Sequence, residues 1–508
     1  MNGRTKIVTL ISLFLLVRLF ISFFVPLTID ESYAIAVSRS HSLSYFDHPP
    51  LGFALARLMA DLFACECRFV VRLPYVLLGS LSAILLFDLT RRAYGEVAGF
   101  WAAAWYSVAP FFFIASGHFV LPDGPLNFGL LLCVWALVPE IFRDEKNIPL
   151  WRWCLSGIAL GIALLSKYQA VLFGASALAF FLTTRAGRKH LVTAGPWLAL
   201  GLASLGLVPV AVWNAEHRWI SFAFQSGRAL TDGGTLLHPA NLLVTLVGQI
   251  GYVWPPTWFI AMLMLMRSMK RDAAAADRFF GIMAVLPIGF FDIVSLFTRS
   301  SLPHWSMSGF LFAFPLVGKW CAALFETNPR RLLVSFAAAT ALVCVLTATF
   351  VVQLRTAIFT RSFFEQSPTF DMDWQSLDWT EVKEAIPAKA LSGNAFVAAA
   401  NWAQAAKIAL ALGPDVPIVV LPGDPRHFQF IRDPRVSNVC DGFFVGAVRF
   451  GREFQTERSY RAQLDASDYA VGAPLWTIQK IAGYPVFKLL AFPVSKEAPC
   501  GRKQERPQ

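Results

Sequence analysis

Apolar stretches of about 20 residues, the length that crosses a hydrocarbon core, recur along this chain with short polar breaks between them. Eleven are expected, near residues 7–27, 70–90, 97–115, 126–142, 150–165, 168–184, 191–212, 244–266, 279–297, 306–325 and 332–353. The region 150–184 reads either as two short helices or as a pair broken around Ser166-Lys167-Tyr168-Gln169. Basic residues occupy alternate breaks. With the N-terminus inside, the inner connections carry Arg4/Lys6, Arg91/Arg92, Arg143/Lys146, Arg185/Arg188/Lys189, Arg267/Lys270/Arg271 and Arg330/Arg331. That bias sets the orientation, and an odd number of spans sends the C-terminus outside.

Three segments depart from the spanning pattern. Residues 28–69 form a long first outer loop, whose amphipathic stretch Leu51–Phe63 suits the membrane surface. Residues 213–243 form a second outer loop rich in Trp, His, Arg and Gly. Residues 354–508 have ordinary polarity, with a helical pattern over Ala400–Leu412 and strand-like runs at Val416–Leu421 and Tyr484–Phe492. The expected fold is a polytopic α-helical membrane domain over 1–353 followed by a small extracytoplasmic α/β domain over 354–508, with a disordered basic tail from Arg502 to Gln508.

Composition agrees: 56% of residues are hydrophobic and 15% charged, which excludes a soluble globular chain of this length. The 46 Phe and 16 Trp suit lipid-facing helices with aromatic belts. A net charge of +11 does not imply nucleic acid, because the bases sit in clusters between apolar spans, where they orient the chain and meet anionic headgroups. The first span lacks a small-residue cleavage site and reads as retained. The eight cysteines have no metal-site spacing. Cys133, Cys154, Cys321 and Cys344 fall in apolar spans as buried thiols, while Cys65, Cys67, Cys440 and Cys500 fall outside, where a Cys440–Cys500 disulfide is open.

This topology gathers chemistry on the outer face. The first span exits at Asp30-Glu31, followed by Tyr45-Phe46-Asp47-His48-Pro49-Pro50-Leu51, and the third delivers His118 and Asp123. Lys167 follows the fifth, Trp213-Asn214 and Ser221–Arg228 the seventh, and Arg299 with Pro303-His304-Trp305 the ninth. Acids at the edge of lipid are costly and mark functional candidates. Acids beside cations suit an anionic, membrane-embedded substrate, with cations holding phosphate and a carboxylate handling a nucleophile or sugar hydroxyls. Plainer readings stand beside these. Asp30 suits the N-cap of a helix starting at Glu31, Asp123 the cap of one starting at Gly124-Pro125, and Lys167 snorkelling to the interface. Arg228 and His304 are weak signals taken singly. Asp88 and Asp292 fall inside spans and have no assigned role.

Taken jointly, the acidic pair, the Tyr45–Leu51 segment, Arg72-Leu73-Pro74, Pro122-Asp123-Gly124-Pro125-Leu126, Leu165-Ser166-Lys167-Tyr168, Trp213-Asn214, Ser221–Arg228 and Pro303-His304-Trp305 resemble a known family. They are similar to the bacterial dolichyl-phosphate-mannose-type glycosyltransferases, GT-C enzymes of the family-39-like kind that include the aminoarabinose transferases acting on lipid A. The resemblance covers roughly residues 5–325. It implies a GT-C fold in the bacterial inner membrane and a site facing the periplasm. It also implies a polyprenyl-phosphate sugar donor and inversion at the anomeric carbon. Carried over by motif, Asp30 is the catalytic acidic residue with Glu31 beside it, and Asp123 the second essential carboxylate. His48, Lys167, Arg228 and His304 are the expected donor-phosphate ligands. One departure matters: aminoarabinose transferases carry Lys where this chain has His48, a weaker phosphate ligand unless a nearby phosphate favours its protonation.

The expected function is transfer of a uronic acid, aminoarabinose or hexose to a lipid A, lipopolysaccharide or other envelope acceptor. No cofactor is required in this reading, although a divalent metal ion between the carboxylates stays open. A lipid-linked sugar flippase is the alternative; it predicts mid-membrane polar groups and internal repeats, whereas the acids here cluster at helix ends. A third reading, a non-catalytic membrane scaffold, leaves Asp30 and Asp123 without a purpose.

Overall fold

The computed structural model describes residues 3–138, 140–142, 148–229, 237–298, 302–363, 375–387, 395–437 and 439–496. In chain order the main helices are α1 (Gly3–Phe24), α2 (Ile29–Ser38), α3 (Leu51–Leu62), α4 (Arg68–Tyr94), α5 (Glu96–Val108) and α6 (Asp123–Leu137). Next come α7 (Leu150–Ser166), α8 (Ala170–Thr183), α9 (Arg185–Leu191), α10 (Ala194–Leu205), α11 (Val208–Glu216) and α12 (Ile220–Ala229). Then follow α13 (Pro239–Val253), α14 (Pro255–Ser268), α15 (Ala275–Ser295), α16 (Met307–Thr327) and α17 (Pro329–Thr356). Two compact units emerge, one of residues 1–22, 42–55 and 72–344, the other of residues 23–41, 56–71 and 345–508.

The first unit is helical. Five helices of the chain are long and apolar enough to cross a membrane, among the described residues: Thr5–Phe24, Arg68–Tyr94, Ala275–Ser295, Pro303–Thr327 and Pro329–Thr356. Counting each bent pair, α8 with α9 and α10 with α11, as one span raises this to seven, and α6, α7 and α13 are shorter apolar helices. The region 150–184 is two helices, separated at Lys167–Gln169. The stretch 244–266, expected as one span, is broken: α13 stops at Trp254, whose φ is +74°, and α14 restarts on Pro255-Pro256. A proline offers no N–H to the preceding turn, so the helix cannot run through. Small residues let helices touch backbone to backbone, as lipid-embedded packing requires. A Cβ on Gly129 of α6 would lie 2.8 Å from Ala159 O of α7, and one on Gly318 of α16 would lie 2.3 Å from Ala98 O of α5.

The second unit is built on a mixed sheet of β1 (Phe396–Ala399), β2 (Ile418–Val420), β3 (Asp441–Val448), β4 (Tyr469–Val471), β5 (Leu475–Ile481) and β6 (Tyr484–Lys496). The order is β2-β1-β3-β6-β4, with β5 also on β6; β1 is parallel to β2 and β3, and β6 is antiparallel to its neighbours. Two helices cover it, α18 (Trp402–Leu412) and α19 (Glu453–Asp465). Phe396, Ala398, Phe444, Val448, Leu490 and Phe492 alternate onto one face and pack with Tyr460 and Leu464 of α19. The intervening Val397, Ala399 and Val445 are equally buried, as expected of a sheet covered on both faces.

This unit recruits chain from far upstream. Helix α2 packs on α18, with Tyr33 edge-on to Trp402 at 5.1 Å and the Tyr33 hydroxyl accepting from His427 N at 3.2 Å. Residues 28–69, expected as one outer loop of the membrane domain, are therefore divided: 23–41 and 56–71 find their apolar partners in the sheet unit. Buried Lys407 donates to the carbonyls of Leu27 and Leu377. Arg39 holds Glu66 by two bonds of 2.9 and 2.6 Å and reaches the carbonyl of Ala409 at the end of α18 at 3.3 Å, while Arg57 grips Glu66 at 2.8 Å.

Glu66 sits between Cys65 and Cys67, which form a disulfide. Cys440 is also disulfide-bonded, and Cys500 lies outside the described residues. Cys133, Cys154, Cys321 and Cys344 are free, but Cys344 is exposed rather than buried, because α17 turns most of its surface outward.

Burial alone would push the Glu66 carboxyl up, but the hydrogen bonds and charges of Arg39 and Arg57 outweigh it and hold the group below the usual glutamate range. A depressed pKa stabilises the fold above the unfolded value, and that contribution is lost as pH falls through the folded one. Glu66→Gln is expected to cost about 1–2 kcal/mol at neutral pH, allowing for solvent screening at this part-exposed site. The melting-temperature gap from wild type should close as the pH falls below the usual glutamate range. A gap that is constant with pH would refute this account of the clamp.

Candidate active site

In the helical unit, the loop leading into α3 forms a tight turn: Tyr45 N donates to His48 O at 3.1 Å, and Ser44 Oγ reaches the same oxygen at 3.4 Å. The α11–α12 connection clamps it. Ser221 Oγ donates to Tyr45 O at 3.3 Å, Gln225 Nε2 to Asp47 O at 2.7 Å, and Phe46 packs on Phe224 at 4.6 Å. Asn214 fixes the clamp by accepting from Ser221 N at 3.1 Å, so the Trp213-Asn214 and Phe224-Gln225 motifs act on the Tyr45–His48 turn. Within that turn Asp47 is buried, and its carboxylate lies 3.3 Å from His48 Nδ1.

Gly52, just inside α3, brings this loop against the start of α6. A Cβ there would lie 2.9 Å from Pro122 Cα, and the Gly52 carbonyl accepts from the Tyr75 hydroxyl of α4. Pro122 precedes α6, whose first residue is Asp123. Gly124 permits the matching approach on the other side, where a Cβ would be 2.9 Å from Ser116 O. Asn127 Nδ2 donates to Ser116 Oγ at 2.8 Å, which ties the first turn of α6 to the preceding loop.

The centre of the arrangement is an ion pair. Lys167 Nζ donates to Asp123 Oδ1 at 2.9 Å and Oδ2 at 3.0 Å, with both residues buried. Lys167 is the C-cap of α7, in extended backbone, and Asp123 makes no capping bond to α6. The expectations that Asp123 caps its helix or that Lys167 snorkels are replaced by this mutual pairing. Two residues on, Gln169 Nε2 donates to Ser308 Oγ at 3.0 Å, joining the Lys167 loop to α16 just after His304. His304 itself is half-buried in the Pro303–Ser306 turn.

Further basic side chains line the neighbouring loop. His118 Nε2 is 2.9 Å from Ser22 Oγ, Arg18 donates to the carbonyls of Phe113 and Phe112, and Arg72 lies over the Phe119 ring at 5.5 Å. Arg18 and Arg72 are fully buried and both act electrostatically on His118. Asp47, Arg18 and Gln225 were not singled out from the sequence as site residues. The available signals were a basic residue inside the first span and the acid beside His48. Arg228 falls in the last turn of α12, but its side chain and Arg299 lie outside the described residues. Among the described residues, no three His, Cys, Asp or Glu side chains gather as a metal-ion shell.

In the sheet unit, Asp30 and Glu31 lie in the first turn of α2 and part company. Thr28 is the N-cap, not Asp30. Thr28 Oγ1 accepts from Glu31 N at 3.3 Å and Glu31 Oε2 accepts from Thr28 N at 2.9 Å, a reciprocal capping box. Glu31 is fully buried by this structural task, whereas Asp30 is exposed.

Residues 47–213, which hold His48, Asp123 and Lys167, match the family model of dolichyl-phosphate-mannose-protein mannosyltransferase. Lipid A galacturonosyltransferase RgtD of Rhizobium johnstonii is 26% identical over 193 residues, covering 37% of this chain and 38% of RgtD. The chain thus aligns with well under half the length of that curated relative. The apo structure of ArnT from Cupriavidus metallidurans superposes with a TM-score of 0.60 at 15% identity, over 97% of this chain and 98% of that one. Its complex with undecaprenyl phosphate gives a TM-score of 0.58 at 16% identity, over 96% and 98%.

The protein has several apolar helices of membrane-spanning length within a GT-C fold, and over residues 47–213 it resembles that mannosyltransferase family. Its particular likeness is to ArnT, whose fold it shares along almost its whole length.

Removing one partner of a buried ion pair strands the other and typically costs about 3–5 kcal/mol. Asp123→Asn and Lys167→Met are each expected to lower unfolding stability by that order. The double variant should recover part of the loss, measured by thermal melts in detergent. Strict additivity of the two losses would show that the pair is not coupled.

Proposed function

We propose that this protein is an inner-membrane glycosyltransferase that moves a sugar from a polyprenyl-phosphate donor to a lipid A or lipopolysaccharide-type acceptor on the periplasmic side. The observation that carries the reading is the buried Lys167–Asp123 pair, set at two helix ends beside the clamped Asp47–His48 turn and within the segment that matches the mannosyltransferase family. A uronic acid is the favoured sugar, because RgtD is named a galacturonosyltransferase. ArnT's complex with undecaprenyl phosphate supports a donor of that class.

The chemistry divides charge. The bond from the anomeric carbon to the phosphate oxygen breaks while the acceptor oxygen bonds to the opposite face, inverting the centre. Negative charge grows on the departing phosphate, and cations fixed in advance stabilise it without reorganising. Asp123 holds Lys167 in place for that role, and His48 beside Asp47 is the second cation donor. Asp30, at the exposed start of α2, is the carboxylate assigned to the acceptor. With a hydroxyl acceptor it serves as general base, typically worth about 10²–10⁴-fold. With an ionised phosphate acceptor it positions the group and no base is needed. Glu31 acts through the capping box that orients this turn.

Transfer of radiolabel from polyprenyl-phosphate-linked galacturonic acid, aminoarabinose and hexose to lipid A in proteoliposomes tests the reading. Asp30→Asn is expected to reduce transfer at least about 10²-fold in folded protein. His48→Ala should raise the donor KM while His48→Lys retains activity. Absence of transfer from every donor, alongside movement of donor across the bilayer, would replace the enzyme with a flippase.

A further inference from the structure

Asp292 lies in the last turn of α15, inside an apolar span, and the transfer chemistry above does not employ it. A carboxylate in such a segment is costly, and its partners point to its purpose. Gln249 of α13, fully buried, donates from Nε2 to Asp292 Oδ1 at 2.6 Å and to Ser306 Oγ at 3.1 Å. Its Oε1 accepts from Trp258 Nε1 at 3.3 Å. Ser306 Oγ in turn donates to Pro303 O at 3.1 Å, closing the Pro303–Ser306 turn that contains His304. The acid sets the direction of this relay. A carboxylate only accepts, so it holds the Gln249 amide with one Nε2 proton on Asp292, the other on Ser306, and Oε1 toward the indole. The flipped amide would set oxygen against oxygen. A hydrogen bond to a charged group is roughly twice as strong as a neutral one, which suits the first link of such a chain.

Packing holds the same turn. A Cβ on Gly248 would lie 2.4 Å from Pro303 Cγ, so α13 abuts the turn at its own backbone. Phe291, next to Asp292, packs on Trp305 at 5.6 Å. The start of α13 is tied to the segment just beyond Asp292, where His238 N donates to Leu296 O at 2.7 Å and Asn241 Nδ2 to Thr298 O at 2.6 Å. From the other side, Ser308 accepts from Gln169, two residues past Lys167. The His304 turn is therefore held between Asp292 and the loop that carries the Lys167–Asp123 pair.

We propose that Asp292 is a positioning residue of the transfer site: through Gln249 and Ser306 it fixes the turn that presents His304 to the donor phosphate. The inference rests on the assignment of His304 to that phosphate. Asp292 acts on the turn and not on the reacting atoms.

Equilibrium binding of undecaprenyl phosphate to the full chain in nanodiscs, alongside donor KM and kcat for transfer, tests this. Asp292→Leu and Gln249→Leu are each expected to weaken binding and raise the donor KM by about tenfold, with kcat nearly unchanged. Asp292→Asn keeps an acceptor for Gln249 and should bind like wild type. In a His304→Ala background, Asp292→Leu should add little further loss, because both changes act on one contact. Ser306→Ala cuts the last link with the least disturbance of packing, and it should reproduce the loss if Asp292→Leu does not fold. A merely structural role would lower the melting temperature and the active fraction while the folded protein kept its wild-type affinity. That result overturns the proposal, as do strictly additive losses from Asp292→Leu and His304→Ala. Wild-type protein that binds no undecaprenyl phosphate overturns the donor-site reading and this inference together. Wild-type binding that Asp292→Leu and Ser306→Ala leave unchanged overturns this inference alone.

Discussion

The Lys167–Asp123 ion pair is the constraint on which the geometry of the helical unit turns. Two charges in a nearly apolar matrix cannot be separated without stranding one of them, so the end of α7 and the beginning of α6 are locked to a fixed distance. Each charge also suits its own helix, an ammonium at the carbonyl end of α7 and a carboxylate in the first turn of α6. The close approaches at Gly52 and Gly124 transmit that lock to neighbouring loops. The result is rigidity where helices end, the place at which a membrane protein has backbone polar groups and water in reach of a lipid substrate.

The clamp on the Tyr45–His48 turn follows the same logic with neutral groups. Asn214 and Gln225 hold backbone rather than ligand, and Ser221 joins them. Motifs that look like candidate binding residues in the sequence thus contribute by ordering the turn that carries the Asp47–His48 pair. Tyr168, at the α7–α8 break, lies with its hydroxyl near Ser44, Asn214 and Ser221, so the clamp and the ion pair share one stretch of chain.

Much of the helical unit was legible because apolar runs and basic breaks report directly on burial in lipid. The break at Lys167–Gln169 was legible too, since a charged residue between two apolar halves is a boundary. The interruption at Trp254 was not, because hydropathy averages over it; the local signal was the Pro255-Pro256 pair. Asp123 and Lys167 stood out singly, yet their pairing joins residues 44 positions apart and no local pattern encodes that. At Glu31 the sequence signal was present in Thr28-x-x-Glu31, the pattern of a capping box, but the acidic pair drew the functional reading to both residues. Residues 28–41 and 56–69 look like loop in a membrane chain because the segments they join lie hundreds of residues downstream.

That last feature governs the order in which the chain can fold. Helix α2, buried along nearly all its length, leaves the ribosome long before α18, the helix that packs on it. Until residues 345–508 arrive, α2 is an apolar helix without a core. The exposed carboxylate of Asp30 therefore takes its final place only once α18 has packed on α2. A chain shortened from its C-terminal end loses the surface that sets the first acid as well as the sheet itself.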